Sequence, residues 1–571
     1  MRCMGSRVVI VAIATQPMQA RGIIRLERSC DMVSGNGSDL IWSWSLWGVN
    51  LASKNSRFFF SLSRLRTGKL LLAGVLAFST LAVQTGASAQ GFGLPSLGDG
   101  QDLTTAQERK LGDRIIRELY RDPDYLDDAV LHEYVSNILG SLMKAAEERG
   151  ELTAEQRERY AWEILLGRDR QVNAFALPGG YFGVYLGLIS IVSTRDELAS
   201  VMAHELSHVT QRHISRLIAK QEKIAPLMIA SMILGALAAS RSPDAGMAMM
   251  VGSQAAVAQS QLNFSRDMER EADRIGFGLM KPAGYAPQGF VGMFDKLQQA
   301  NRINDNGSWP YLRSHPLTTQ RIADMHTRLG KDDVAEPAAS LDHLMMVARA
   351  RVLTRPGTEV LRQYINDAKD VAFAEKSAGR RVGALYMAAL SGVQLQDYAA
   401  AREAVGRLKP LVKGDAAALR LAQLLAAETE MAAGKPEAAL QELDADTLKI
   451  TADAGRPELL ARTQVLMQLQ RGAEMTGALQ TWVATHPKDS TVWLALSRVW
   501  GLQNQPLRAI RAEAEAQMGH YDYGAAVDRF KAGQDLARKG GGDFYDASII
   551  DTRLREVSSL LKEQSADRTL N

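Results

Sequence analysis

Thr194-Arg195-Asp196-Glu197-Leu198-Ala199-Ser200-Val201-Met202-Ala203-His204-Glu205-Leu206-Ser207-His208 is the stretch on which the reading of this chain turns. Thr194 and Glu197 stand three apart in the pattern of a capping box, in which a hydroxyl accepts from a first-turn N–H and the glutamate reaches back. A helix is therefore expected to start there and run through His213. On it, His204 and His208 lie four apart on one face, so both imidazoles can reach a single ion, while Glu205 points beside that ion at a water bound to it. This is the zincin spacing, but five residues of it can arise by chance, so the chain has to supply a further ligand elsewhere.

A second helical pattern begins near Ser265 and offers Glu269-Arg270-Glu271-Ala272-Asp273. Glu269 and Asp273 are again four apart, so one can complete a His₂Glu site while the other orients a ligand from behind. The bland reading is a solvated face shared with Arg266, Arg270 and Arg274. Glu271 would face roughly 160° away from Asp273 on a helix, which leaves Glu269 the better ligand. His213 falls outside the metzincin pattern, because the sixth residue after His208 is Ile214 and Gln211 stands in place of the required glycine. It reads as a structural residue or one that supports a ligand.

Working outward, the strands are scarce. Trp162-Glu163-Ile164-Leu165-Leu166, Val172-Asn173-Ala174-Phe175-Ala176-Leu177 and Tyr181-Phe182-Gly183-Val184-Tyr185 surround Pro178-Gly179-Gly180, and read as strands joined by a turn in one small sheet. The strand before or after that turn is a candidate edge for an extended substrate. Amphipathic helical spacing covers 103–120 and 129–142, and helices continue from Ser265 to about Leu329. The apolar runs 224–240 and 247–257 are interrupted by Pro226 and by Ser253 and Gln254, and read as a helical hairpin over the site or a surface that touches a membrane or a hydrophobic client.

Past Pro337 the sequence turns to helical pairs rich in Ala, Leu, Gln and Arg. Residues 384–404 around Gly392, 428–443 around Gly434 and 512–530 around Gly519 resemble one another as helix, glycine turn, helix, and Trp493 with Leu496 fits the first helix of another pair. The expected fold is mainly α (α+β). A zincin-type metalloprotease domain with a small sheet occupies 103–335, and a tetratricopeptide-like helical repeat domain follows at 336–571.

Residues 1–89 read as a leader. Arg64, Arg66 and Lys69 precede the apolar run 70–83 and Ala87-Ser88-Ala89, the order of a secretory signal, with cleavage leaving Gln90 and a flexible start at 90–102. A signal belongs at the extreme N-terminus, so translation is expected to begin near 49–51. The run is too short for a comfortable span, and no cysteine follows it to accept lipid.

The leader holds 10 of the 67 Lys and Arg and 3 of the 64 Asp and Glu, so the rest carries 57 against 61, a net −4, and gives no electrostatic case for nucleic acid. Both cysteines, Cys3 and Cys30, lie in the leader, which excludes disulfides, a thiol nucleophile and thiolate-bound metal from the mature chain.

Asn173-Ala174-Phe175-Ala176-Leu177-Pro178-Gly179-Gly180, His204-Glu205-Leu206-Ser207-His208, Glu269-Arg270-Glu271-Ala272-Asp273 and Ser314-His315-Pro316, in that order, resemble the gluzincin metallopeptidases of the HtpX and CAAX prenyl endopeptidase type. The resemblance implies one zinc ion per chain, with Glu269 as third protein ligand beside His204 and His208. Glu205 and Asp273 would join the catalytic set. It also brings His315 into the site, either to stabilise the oxyanion or to occupy the fourth zinc position as a latch. Zinc would lower the pKa of its bound water to about 7, with Glu205 taking the proton.

With a signal in front and repeats behind, the resemblance further implies a periplasmic endopeptidase acting on unfolded or misassembled outer-membrane proteins, docked through 336–571 on outer-membrane assembly machinery. The alternative is a chaperone-like scaffold whose metal site is structural or latent. A cell-wall amidase is a weaker third reading.

Overall fold

The computed structural model describes residues 103–220, 233, 265–302, 309–330, 340–445, 448, 455–540 and 543–569, and elements are numbered within those. The leader, the flexible start, the boundary at 335 and, apart from Ile233, the two apolar runs between the metal helices lie outside the described residues. Among them, no helix is long and apolar enough to cross a membrane.

Helix α1 (Thr105–Tyr120) opens on a capping box of Thr104 and Gln107, and α2 (Ala129–Glu148) is capped by the Asp128 carboxylate. After β1 (Tyr125–Leu126) between them and a short α3 (Ala154–Arg159) come β2 (Glu163–Gly167), β3 (Ala174–Leu177) and β4 (Tyr181–Tyr185). The sheet order is β1-β2-β4-β3, with β2 parallel to β4 and β3 antiparallel to it. Gly179 and Gly180 form the β3–β4 turn at φ of 80° and 81°, a left-handed pair that side chains resist. The strand after the turn, β4, is paired on both sides and buried throughout, so it offers no edge. Of the two expected edges only β3 is one, and it runs beside helix α5.

After α4 (Leu186–Ile191), α5 (Arg195–Thr210) is buried at every position from Glu197 to Thr210, as a helix at the centre of a domain must be. The expected continuation to His213 does not occur. Gln211 closes α5, Arg212 takes φ of 54°, and α6 (His213–Lys220) sets off anew. The capping box is also half of what was expected: Thr194 Oγ1 accepts from Glu197 N, but Glu197 reaches back to Ser193 N and takes Lys296 Nζ at 2.6 Å. Helix α7 (Arg266–Met280), capped by Ser265, packs along α5, and a Cβ on Gly276 would come within 3.0 Å of the Ala203 backbone. Helices α8 (Gln288–Arg302), α9 (Tyr311–Ser314) and α10 (Thr319–Arg328) complete this half.

The helical region that follows runs through α11 (Leu341–Leu353), α12 (Thr358–Asp367), α13 (Ala378–Gln394), α14 (Tyr398–Val412), α15 (Ala416–Ala432) and α16 (Pro436–Leu443). It continues with α17 (Arg456–Gln468), α18 (Thr476–Thr485), α19 (Ser490–Leu502), α20 (Pro506–Gly519), α21 (Tyr523–Arg538) and α22 (Phe544–Thr569). Four of its connectors share one design. In 395–397, 433–435, 503–505 and 520–522 the first residue caps the outgoing helix, the second is left-handed, and the third is the N-cap of the next helix. That third N–H also closes a Schellman bond, as in Asp397 N to Gly392 O at 2.8 Å and Asp522 N to Gln517 O at 3.0 Å.

The left-handed residues are Gln396, Gly434, Asn504 and Tyr521. Only one of the three expected glycine turns is therefore at its glycine. Gly392 lies inside α13, pressed against Ala401 N, and Gly519 ends α20 against Lys488 O.

One cluster of buried apolar residues continues from Leu131 of α2 through α5 and α11 to Ala426 of α15. The charges around α2 are paired across the same surface. Arg349 bonds Asp128 and Glu428, Arg420 bonds Glu133 and Glu458, and Arg456 bonds Asp127 and Asp489. Farther along, Tyr521 enters between α1 and the sheet, where its hydroxyl meets Tyr181 Oη at 2.6 Å, Arg109 at 3.1 Å and Glu163 at 3.2 Å.

Candidate metal centre

Helix α5 presents His204 and His208 to the same point, and α7 presents Glu269 to it from the facing side. His315, at the C-cap of α9, closes the group. One ligand atom from each of the four lies within 4.8 Å of every other, and all four side chains are buried. The two Nε2 atoms of α5 stand 3.0 Å apart, His315 Nδ1 is 3.1 Å from Glu269 Oε1 and 3.3 Å from His204 Nε2, and each α5 imidazole is 3.5 Å from a Glu269 oxygen, His204 from Oε2 and His208 from Oε1. Ligand atoms about 2.0–2.1 Å from a tetrahedral zinc stand about 3.3 Å apart, so this donor set and its spacing fit that ion.

Glu205 lies beside the group with both carboxylate oxygens buried and, among the described residues, without a hydrogen bond, Oε1 standing 3.4 Å from His315 Nε2. A fold has no reason of its own to bury a carboxylate in that condition, since the desolvation cost is left uncompensated. Asp273 is not part of the ligand group. Its Oδ1 faces His204 Nδ1 at 3.0 Å, and Arg321 grips both of its oxygens at 2.6 Å and 2.8 Å. Arg321 also reaches Glu269 Oε2 at 2.8 Å and the Pro316 carbonyl at 2.9 Å, and so ties α10 to α7 and to the turn that carries His315. Sequence reading missed Arg321: an arginine in a polar helix carries no local mark of where it points. Tyr311, stacked on His315 with centroids 4.6 Å apart, was missed for the same reason.

His213 turns back under His208, with the two Nδ1 atoms 2.8 Å apart. Its Nε2 lies 3.1 Å from Glu271 Oε2, which also takes Arg216 Nη1 at 2.8 Å. Glu271 thus faces away from the centre, as its helical position requires.

The electrostatics are those of an acidic cation site. Burial alone would depress His204, but hydrogen bonds to Asp273 and Glu269 hold it up at about 9 in the metal-free protein. Burial, followed by the charge of His204, drives His208 well below its ordinary value. Glu269 would be raised by burial, yet His315 and His204 bring it well below the carboxylate range; Asp273 would likewise be raised by burial, but Arg321 and His204 lower it. A cation entering here displaces the proton on His204, so its binding is coupled to proton release.

A family model for peptidase family M48 matches residues 139–329, the segment that contains all of these side chains. That segment is similar to peptidase family M48. The matched segment contains the zincin motif, the hairpin before it and the His315 turn, and the match together with the buried His-His-Glu-His group marks the chain as a metalloprotease.

The chain is 28% identical to the beta-barrel assembly-enhancing protease of Escherichia coli over 504 residues, 86% of this chain and 98% of that protein. A Vibrio cholerae relative that carries the same name provisionally is 35% identical over 268 residues, 46% of this chain, which covers about half (52%) of its length. The mitochondrial metalloendopeptidase OMA1 of Saccharomyces cerevisiae is 27% identical over 203 residues, 34% of this chain and 55% of the relative.

Proposed function

We propose that the chain is a periplasmic zinc endopeptidase of outer-membrane protein quality control. One zinc is held by His204, His208 and Glu269, Glu205 is its general base, and His315 is a latch. The observation that carries the reading is the group of four ligand atoms within 4.8 Å of one another with the unpartnered Glu205 carboxylate beside it. Bound zinc supplies a Lewis acid for the peptide carbonyl and lowers the pKa of water at the site. Glu205 takes the proton of the attacking water and returns it to the leaving amine. Asp273, itself gripped by Arg321, acts through His204 by accepting its Nδ1 hydrogen and so turning Nε2 inward.

His315 fits the latch reading better than the oxyanion reading, because its Nδ1 is one of the four clustered atoms while its Nε2 faces Glu205. In that position it fills the fourth place and keeps the base from water. Strand β3, the sheet edge beside α5 among the described residues, is where an extended segment of an unfolded substrate would add.

The client class, misassembled outer-membrane proteins, rests on the name of the Escherichia coli relative, with which this chain aligns along nearly the whole of that protein. The secretory order of residues 64–89 supports the compartment. Residues 336–571, read as tetratricopeptide-like pairs, would dock the enzyme on assembly machinery. The peptidase domain is read as 103–335.

The test is Glu205→Gln in the full chain. Cleavage of an unfolded outer-membrane protein should fall by about 10²–10⁴-fold with zinc content unchanged. Activity that survives removes the base, and a cellular role that survives without cleavage favours the scaffold reading. His315→Ala should increase turnover, and a decrease would assign the residue to the oxyanion instead.

A further inference from the structure

Helix α5 ends one residue too early for a regular helix to explain where His213 goes. Five residues beyond His208 on a continuous helix, a side chain points about 140° away from it. Here Arg212 takes φ of 54°, held by hydrogen bonds from its guanidinium to the Glu108 carboxylate and to the Leu103 carbonyl, and the reversal swings the His213 ring under His208. A non-glycine residue in that conformation costs roughly 1–2 kcal/mol. The strain is spent at one place, and its product is a ring-to-ring contact of 2.8 Å between Nδ1 atoms.

That contact has a direction. Two imidazole nitrogens at hydrogen-bond distance share one hydrogen, so one donates and the other accepts. The far side of His213 decides which. Its Nε2 faces Glu271 Oε2 at 3.1 Å, and a carboxylate paired with Arg216 can only accept. His213 Nε2 therefore carries the hydrogen. A neutral imidazole has only one, so His213 Nδ1 accepts and His208 Nδ1 donates. The lone pair of His208 is left on Nε2, the atom that stands 3.0 Å from His204 Nε2 and 3.5 Å from Glu269 in the ligand group.

We propose that His213, fixed by Glu271 and Arg216, is the positioning residue that sets the tautomer of His208 and so readies its Nε2 for the metal. His204 reaches the same state through a single carboxylate, Asp273, deep in the domain. His208 reaches it through a second imidazole and a carboxylate that is 29% exposed, so the relay runs from the ligand group to the surface of α7. Glu271 then has a task of its own, distinct from that of Glu269 two residues before it.

This rests on the assignment of His208 as a zinc ligand, and zinc affinity, measured by competition with a chromophoric chelator on the full chain, tests it without recourse to turnover. His213→Phe keeps the ring and removes the acceptor, and zinc should bind about 10–100-fold more weakly. His213→Asn places a carbonyl oxygen where Nδ1 was, and should restore affinity to within about threefold of wild type. Glu271→Gln, on the partly exposed rim, lets His213 adopt either tautomer and should weaken zinc by about 3–10-fold.

Equal affinity in wild type and His213→Phe overturns the relay, as does an Asn variant as weak as the Phe variant, which would reduce His213 to packing. Should His213→Phe lose its near-ultraviolet circular dichroism, Glu271→Gln decides alone, and wild-type affinity in that variant overturns the proposal. A wild-type chain that takes up no zinc overturns the reading of the site and the relay with it. Tight wild-type binding with indifferent variants overturns the relay only.

Discussion

Charge is wholly or partly buried in two regions of this protein, and the second leaves one carboxylate without the partners that every acid in the first has. Around the N-terminal end of α2, three arginines each bridge two acids: Arg349 joins Asp128 to Glu428, Arg420 joins Glu133 to Glu458, and Arg456 joins Asp127 to Asp489. In the metal centre Arg321 pairs with Glu269 and Asp273, but imidazole nitrogens face one another at 3.0 Å and 3.3 Å, and the Glu205 carboxylate has no hydrogen bond among the described residues. Paired buried charge fixes how helices sit against each other, and breaking a pair is expensive because its partner stays buried. Unpaired buried charge destabilises the fold that contains it, so its presence marks a place built for something other than stability.

The contrast breaks most visibly at Arg349, which is buried against Asp128, Glu428 and Tyr386. Arg349→Ala should lower the unfolding free energy by about 3–5 kcal/mol in urea titrations, because the buried Asp128 loses its cation. A loss under about 1 kcal/mol would place this bridge with exposed surface pairs.

A smaller effect belongs to His343, whose Nδ1 lies 2.7 Å from Tyr134 Oη across the same surface. Burial, reinforced by the cations of Arg195 and Lys296, holds it down at about 4. An unfolded histidine titrates near 6.5, so between about pH 6.5 and 4 the unfolded chain binds a proton that the folded chain does not. Its contribution is complete above pH 6.5 and is lost as pH falls through that window, by roughly 3 kcal/mol in all. His343→Gln should lose less stability than wild type between pH 7 and pH 4.5, and parallel curves for the two proteins would refute the assignment.

The smallest change is expected at Glu205, in the other direction. In the presence of a chelator, Glu205→Gln should be as stable as wild type or more so by up to about 2 kcal/mol, since an amide is cheaper to bury than a carboxylate. A variant less stable by that amount would show that the carboxylate supports the fold.

What could be read from the residues alone followed from how local the signal was. The zincin helix, the Ser265 start of α7 and the Pro-Gly-Gly hairpin are each written within a few positions, and each stands where it was expected. Glu269 meets both imidazoles although some sixty residues separate them, because the i, i+4 pattern left few candidates. The connectors were harder. Gln396, Asn504 and Tyr521 hold left-handed positions that sequence assigns to glycine, so the turns were sought at the wrong residues. The parallel pairing of β2 with β4, the grip of Arg321 on Asp273 and the contact of His213 with His208 depend on how the chain returns in space, and period or propensity carries no trace of that.

Tyr521 shows what such a return means for heredity. It sits at a helix turn more than three hundred residues from Glu163 and Tyr181, yet its hydroxyl completes their buried polar network. A gene fusion that exchanged the last helices for those of another protein would empty that socket and leave Glu163 with Tyr120 but without its second tyrosine. Recombination can therefore trade outer faces of these helices freely, but the turn at 520–522 has to travel with the strands it plugs.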